Sequence, residues 1–122
     1  FLGEVPRARL PDLIAGLSVA VAPFEVTLGP LAVWPNGVAV WEPSVCPDVL
    51  TQLHQQLGQA LMRLGVPLED RPYRPHVTLA RRARGAQMPW SVPPLTWPVD
   101  HYALVESCPG TPRRYEVLRL YR

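Results

Sequence analysis

The chain has 122 residues, 48% of them hydrophobic, with 12 basic and 10 acidic side chains and a formal net charge of +2. That balance fits one domain with its own core and excludes a disordered chain, which would be poorer in apolar residues and carry more net charge. Proline occurs 16 times, well above the usual share of about 5%, and each one fixes φ and removes a backbone donor, which excludes a long coiled coil or an all-helical bundle.

Leu10, Leu13, Ile14, Leu17 and Val21 recur at helical spacing and predict a first helix over 11–21, with Pro11 as its first residue and Pro23 as its stop. Strand-forming pieces follow over 24–28, 31–34 and 38–41. The last two are joined by Pro35-Asn36-Gly37, a turn whose Asn-Gly step reaches positive φ at little cost, so they predict a hairpin. Leu50, Leu53, Leu57, Leu61 and Leu64 line one face of a second helix over 47–64, with Gly65 and Pro67 as stop signals. Arg71-Pro72-Tyr73-Arg74-Pro75 is then a stiff lead-in to a strand over 76–80. A proline-rich loop over 89–98 carries Trp90 and Trp97, and strands over 102–106 and 115–121 close the chain. Helix, three strands, helix, strand and two strands make an α+β pattern with antiparallel sheets.

All twelve basic residues are arginine, which reads as genomic base composition rather than function. The charge is too mild to coat a nucleic-acid duplex, while a pI near 8.8 suits a site that grips a few phosphates. Cys46 and Cys108 match neither a zinc spacing nor a redox CxxC pair and fit two unremarkable thiols in a reduced, cytoplasmic protein. The longest apolar stretch, 13–24, is interrupted by Gly16, Ser18 and Pro23 and falls short of the roughly 20 residues of a membrane span.

Chemistry concentrates at the strand over 76–80. Its period of two puts His76 and Thr78 on one side, about 6 to 7 Å apart along the strand, and Val77 with Leu79 on the other, where the aliphatic pair is expected to be buried. Such an arrangement suits a phosphate: the imidazole moves a proton near neutrality and the hydroxyl donates to a non-bridging oxygen. Arg74, Arg81, Arg82 and Arg84 crowd the two ends of the strand, and a guanidinium matches phosphate with a bidentate fork. By parity Arg81 falls on the side opposite His76, so it reaches the same phosphate only if the backbone bends or the strand ends after Leu79. His54 reads as a surface residue of the second helix, and His101 as the start of a strand. There is no Gly-rich phosphate loop, dinucleotide fingerprint or magnesium-binding carboxylate cluster, so acid-base chemistry by histidine is expected, with no metal and no cofactor.

The run Arg71-Pro72-Tyr73-Arg74-Pro75-His76-Val77-Thr78-Leu79-Ala80-Arg81 closely resembles the second signature of the 2H phosphoesterases, and within them of the RNA 2′,3′-cyclic phosphodiesterases, also known as 2′-5′ RNA ligases. Phe1-Leu2-Gly3-Glu4-Val5 resembles the segment that follows the family's first His-x-Thr motif, and Arg113 to Leu118 resembles its last strand. The resemblance implies a duplicated, two-lobed α+β fold whose antiparallel sheets line a central cleft with helices outside. It makes 1–122 a single domain, N-terminally incomplete, because the first motif's histidine would lie a few residues before Phe1. The strand that Phe1 continues is then expected to pair poorly.

For function, the resemblance implies metal-independent hydrolysis of an RNA or nucleoside 2′,3′-cyclic phosphate to a 2′-phosphate, with reversible 2′-5′ ligation, by two histidines acting as acid and base. Carried over, His76 transfers a proton, Thr78 donates to the phosphate and Arg81 clamps it, while Tyr73 and Phe1 are candidates to stack on a nucleobase. The partners implied are RNA ends or nucleotides bearing that cyclic phosphate, met by a monomer and not by a membrane. Two other readings stay open: a non-catalytic module that binds RNA ends, and a 2H enzyme acting on another cyclic phosphate or on a 2′-5′ linkage.

Overall fold

In the computed structural model, which describes residues 1–89 and 91–122, the chain divides into two units. One comprises Phe1–Pro23, Val49–Arg71 and Asp100–Arg122, the other Phe24–Asp48 and Pro72–Val99.

In the first unit a 3₁₀ turn (Arg7–Arg9) runs into α1 (Leu10–Gly16). Pro11 lies in its first turn, where a missing N–H costs nothing, and Asp12 complements the helix dipole there. The helix is shorter than its apolar spacing predicts. Gly16 has poor helical propensity and the β-branched Val19 and Val21 follow, so the chain leaves the helix at Leu17, whose N–H still donates to Leu13 O at 3.0 Å. The second helix, α2 (Asp48–Arg63), agrees closely with its prediction. Gly65 ends it at φ +71°, with Gly65 N donating to Met62 O and Val66 N to Leu61 O, both at 3.0 Å, and Val66 folds back as a buried apolar contact.

The core of this unit is Leu13, Leu17, Ala60, Leu61, Val66 and Tyr121. Tyr121 comes from a late hairpin, whose strands Tyr102–Cys108 and Arg114–Tyr121 pair antiparallel with Tyr102 opposite Tyr121. Those two rings stack with centroids 4.8 Å apart. Each hydroxyl finds a backbone partner: Tyr102 donates to Leu17 O at 2.8 Å and accepts from Val19 N at 2.8 Å, and Tyr121 donates to Ile14 O at 2.8 Å. The hairpin thereby captures the segment that α1 releases, and the buried polar tips are satisfied. Residues 1–6 form no strand.

The second unit is a four-stranded antiparallel sheet. Its strands are β1 (Phe24–Val33), β2 (Ala39–Pro43), β3 (Val77–Ala80) and β4 (Leu95–Val99), in the order β3-β2-β1-β4; the hairpin strands of the first unit are then β5 and β6. The pieces predicted over 24–28 and 31–34 are one strand with a bulge between Leu28 and Leu31. Gly29 sits in that bulge, where a Cβ would collide with the Ser44 hydroxyl, and its carbonyl accepts from Trp41 Nε1 at 3.0 Å. The predicted hairpin turn is present. Gly37 has φ +84°, Trp34 N donates to Val38 O at 2.9 Å, and Asn36 Oδ1 accepts from Val38 N at 3.2 Å.

The proline-rich segment over 89–98 is only partly a loop, because β4 forms inside it and pairs Trp97 with Val26 and Pro98 with Glu25. An edge strand tolerates proline, since its missing N–H can face away from the sheet. Trp90, named in that loop, lies outside the described residues. Among the described residues, no helix is long and apolar enough to cross a membrane.

Candidate functional site

Pro75 biases Arg74 to extended backbone, and this delivers His76 immediately before β3. There Val77 pairs with Trp41 and Thr78 with Val40. Thr78 is exposed, and His76, two residues earlier on extended chain, shares its side of the sheet, as does Glu42, two residues beyond Val40. Arg74 confirms that side, its Nε donating to Glu42 Oε1 at 2.7 Å.

The His76 ring is exposed rather than packed among aliphatic side chains. Its Nδ1 lies 2.8 Å from Arg74 O. A carbonyl only accepts, so Nδ1 carries the hydrogen and Nε2 is the bare nitrogen of the neutral ring, able to take a proton and, once charged, to give one back. Trp34 is the ring's neighbour, edge to face, with centroids 4.4 Å apart and planes at 60°. Trp34 and Glu42 carry no signal in the sequence beyond their type; only the β1–β2 and β2–β3 registers bring them to the histidine.

Leu79 is not buried. It is 50% exposed because β3 carries a bulge: Thr78 pairs with Val40 and Ala80 with Ala39, leaving Leu79 as the extra residue. That bulge resets the parity. With Ala80 opposite Ala39, the simple alternation that set Arg81 against His76 no longer holds; β3 ends at Ala80, and Arg82 turns the chain at φ +56°. Arg81 and Arg82 are exposed. The other arginines near the strand are committed. Arg74 pairs with Glu42, Arg84 donates to Pro35 O at 2.8 Å, and Arg71 grips Glu69 with Nε and a terminal nitrogen at 2.8 and 3.0 Å, a contact that holds the Glu69 carboxyl below its usual range.

Tyr73 precedes the site in the same unit and is 38% exposed. Partial burial, and after it the neighbouring Cys46, pushes its phenol above the usual range. Phe1 belongs to the first unit, 89% exposed beside an open cavity of about 790 Å³ whose lining includes Leu10, Leu13, Leu57, Leu61 and Tyr102. Glu4, Arg7, Glu106 and Arg113 also line that cavity. His101 immediately precedes β5, with its Nδ1 2.5 Å from Asp100, a contact that lowers the Asp100 carboxyl. The first unit also brings Glu106, Cys108 and Glu116 within 4.8 Å of one another, although Arg7 already engages Glu106 at 3.3 Å.

The family model of the 2′-5′ RNA ligase superfamily matches residues 1–109. The chain belongs to the 2′-5′ RNA ligase superfamily. Among its curated relatives, the RNA 2′,3′-cyclic phosphodiesterase of Thermus thermophilus is 36% identical over 124 residues, covering 88% of this chain and 60% of the relative's length. The RNA 2′,3′-cyclic phosphodiesterase of Bacillus subtilis is 26% identical, covering 95% of this chain and 69% of its own. Among solved structures, Escherichia coli LigT complexed with 3′-AMP superimposes with a TM-score of 0.85 at 27% identity, over 99% of this chain and 72% of LigT.

Superfamily membership bears out the resemblance read from residues 71–81, and the LigT superposition bears out the α+β fold class of the 2H phosphoesterases, with antiparallel sheets and two helices. The segment from His76 to Arg81 lies within the part of the chain that the superfamily model covers.

Proposed function

We propose that this chain belongs to an RNA 2′,3′-cyclic phosphodiesterase, in which water opens the cyclic phosphate of an RNA end or nucleotide and leaves a 2′-phosphate. The names of the curated relatives, and the solved complexes of LigT with 3′-AMP, ATP and phosphate, support a nucleotide-phosphate substrate.

The single observation that carries the reading is that His76 and Thr78 are both exposed two residues apart at the start of β3, with the exposed Arg81 just past its end. In the reaction, water attacks phosphorus in line with the departing 3′-oxygen. His76, with Nδ1 tied to the Arg74 carbonyl, moves one proton through Nε2. The Thr78 hydroxyl donates to a non-bridging oxygen, and the Arg81 guanidinium balances the charge that builds on the phosphoryl group. The second proton carrier is the histidine of the family's first His-x-Thr motif, which acts on the other side of phosphorus. With a 5′-hydroxyl in place of water as the nucleophile, the same groups open the cyclic phosphate to a 2′-5′ linkage, and the reverse of that step, attack by the 3′-oxygen with loss of the 5′-hydroxyl, re-forms the cyclic phosphate. Tyr73 offers an aromatic face to a base. Cys46 and Cys108, neither in a disulfide, suit a cytoplasmic enzyme.

The test is His76→Ala in the intact protein, assayed on a nucleoside 2′,3′-cyclic phosphate in the presence of a chelator. Losing one proton-transfer group is expected to lower the rate by about 10²- to 10⁴-fold. Hydrolysis at the wild-type rate would remove His76 from the mechanism.

A further inference from the structure

His76 is tied by one hydrogen bond, and one hydrogen bond does not fix a ring. The contact from Nδ1 to Arg74 O sets the tautomer but leaves the imidazole able to rock about it. Trp34 removes that freedom, because its indole stands edge to face against the imidazole at 4.4 Å. The indole is itself clamped. The Arg74 guanidinium lies over it, 4.6 Å from the ring centroid, and Arg74 Nε donates to Glu42 Oε1 at 2.7 Å. The Glu42 side chain is 15% exposed and that of Arg74 58%, so the carboxylate is fixed by its surroundings while the guanidinium keeps one side in water.

Arg74 therefore reaches His76 twice, through its own carbonyl and through the indole its guanidinium covers. Trp34 contributes its ring and not its polar tip: the indole N–H is buried and has no partner among the described residues. The backbone of Trp34 is fixed by the hairpin turn, donating to Val38 and accepting from Gly37.

We infer that Glu42, Arg74 and Trp34 are a positioning stack that locks the His76 imidazole in the Nδ1–H tautomer with Nε2 held for proton transfer. Arg74, which the sequence groups with the phosphate-binding arginines, orients the histidine instead. The inference rests on the proposed role of His76, and none of the three residues touches the reacting atoms.

The experiment measures two things in the intact protein. One is kcat and KM on a nucleoside 2′,3′-cyclic phosphate. The other is the protonation of each His76 ring nitrogen, read by long-range ¹H–¹⁵N NMR at a pH where the ring is neutral. The wild type is expected to show the Nδ1–H tautomer alone. Trp34→Leu is expected to mix the tautomers and lower kcat by about 10- to 100-fold, the scale of a small misplacement of a catalytic group, with KM unchanged. Trp34→Phe keeps an aromatic edge and discards the orphaned N–H, so it is expected to retain both the tautomer and kcat. Glu42→Gln should move both readouts in the direction of Trp34→Leu, by less.

A Trp34→Leu protein with wild-type kcat, or with lowered kcat and an unmixed tautomer, overturns the stack. If Trp34→Leu fails to fold by circular dichroism, Glu42→Gln decides, and an unchanged tautomer with unchanged kcat overturns it equally. Should His76→Ala hydrolyse as fast as wild type, the proposed function falls, while the NMR readout still tells whether the stack orients the ring.

Discussion

The two units handle their polar groups in opposite ways. The first encloses its polar tips: the hydroxyls of Tyr102 and Tyr121 are hydrogen-bonded to backbone beside Leu13, Leu17 and Leu61, so polarity there serves to close a core. The second pairs four strands and leaves His76, Thr78 and Arg81 exposed along one strand and its exit, where polarity serves nothing in the fold. The tyrosine tips that close the first unit's core and the residues proposed to react thus lie in different units. The separation has a physical basis, since a group that must meet substrate cannot also be buried to hold a core together.

That separation makes sharp demands. The largest expected effect is the loss of about 10²- to 10⁴-fold in kcat/KM for His76→Ala, and the comparison adds that its thermal unfolding should match wild type, because the exposed ring supports no core contact. A large drop in melting temperature would break the contrast. The mirror experiment is Leu13→Ala in the first unit. Leu13 is 1% exposed at the centre of the core, and its truncation should cost about 2–5 kcal/mol in urea unfolding. The kcat of its folded fraction should be unchanged.

Thr78→Val comes next in size. It removes the hydroxyl while keeping a β-branched side chain suited to the strand. Losing one hydrogen bond to a charged oxygen, worth about 1.5–3 kcal/mol, should lower the rate about 10- to 100-fold without lowering stability. A rate within error of wild type would leave Thr78 as a strand residue only.

The elements most legible in the sequence were those whose signals are local. The leucine stripe of α2, its Gly65 stop and the Asn36-Gly37 turn each specify their own backbone. The His-x-Thr pair was legible for the same reason, since a strand's period of two fixes which neighbours share a side. What escaped depends on partners distant in the chain. The bulge at Leu79 follows from the pairing of β3 with β2, and no local signal announces it. β4 forms in a proline-rich segment because β1 offers it an edge. Trp34 and Glu42 lie 42 and 34 residues from His76, with no spacing rule to connect them.

The smallest expected effect sharpens the contrast from the side of the first unit. Burial, and after it the adjacent Tyr102, pushes the Tyr121 phenol above its usual range. A group whose pKa is raised by folding holds its proton more tightly in the folded state. Its contribution is complete below the unfolded value of about 10 and disappears as pH rises through the folded value. The melting temperature should therefore fall as pH passes about 10. Tyr121→Phe loses the hydrogen bond to Ile14 O, about 1 kcal/mol at neutral pH, and should flatten that alkaline fall. His76→Ala removes no tyrosine, so it should leave the alkaline profile as it is in wild type. If Tyr121→Phe and wild type lose stability in parallel above pH 10, the enclosed tyrosine is not what sets the alkaline limit of the first unit, and another group there titrates on unfolding.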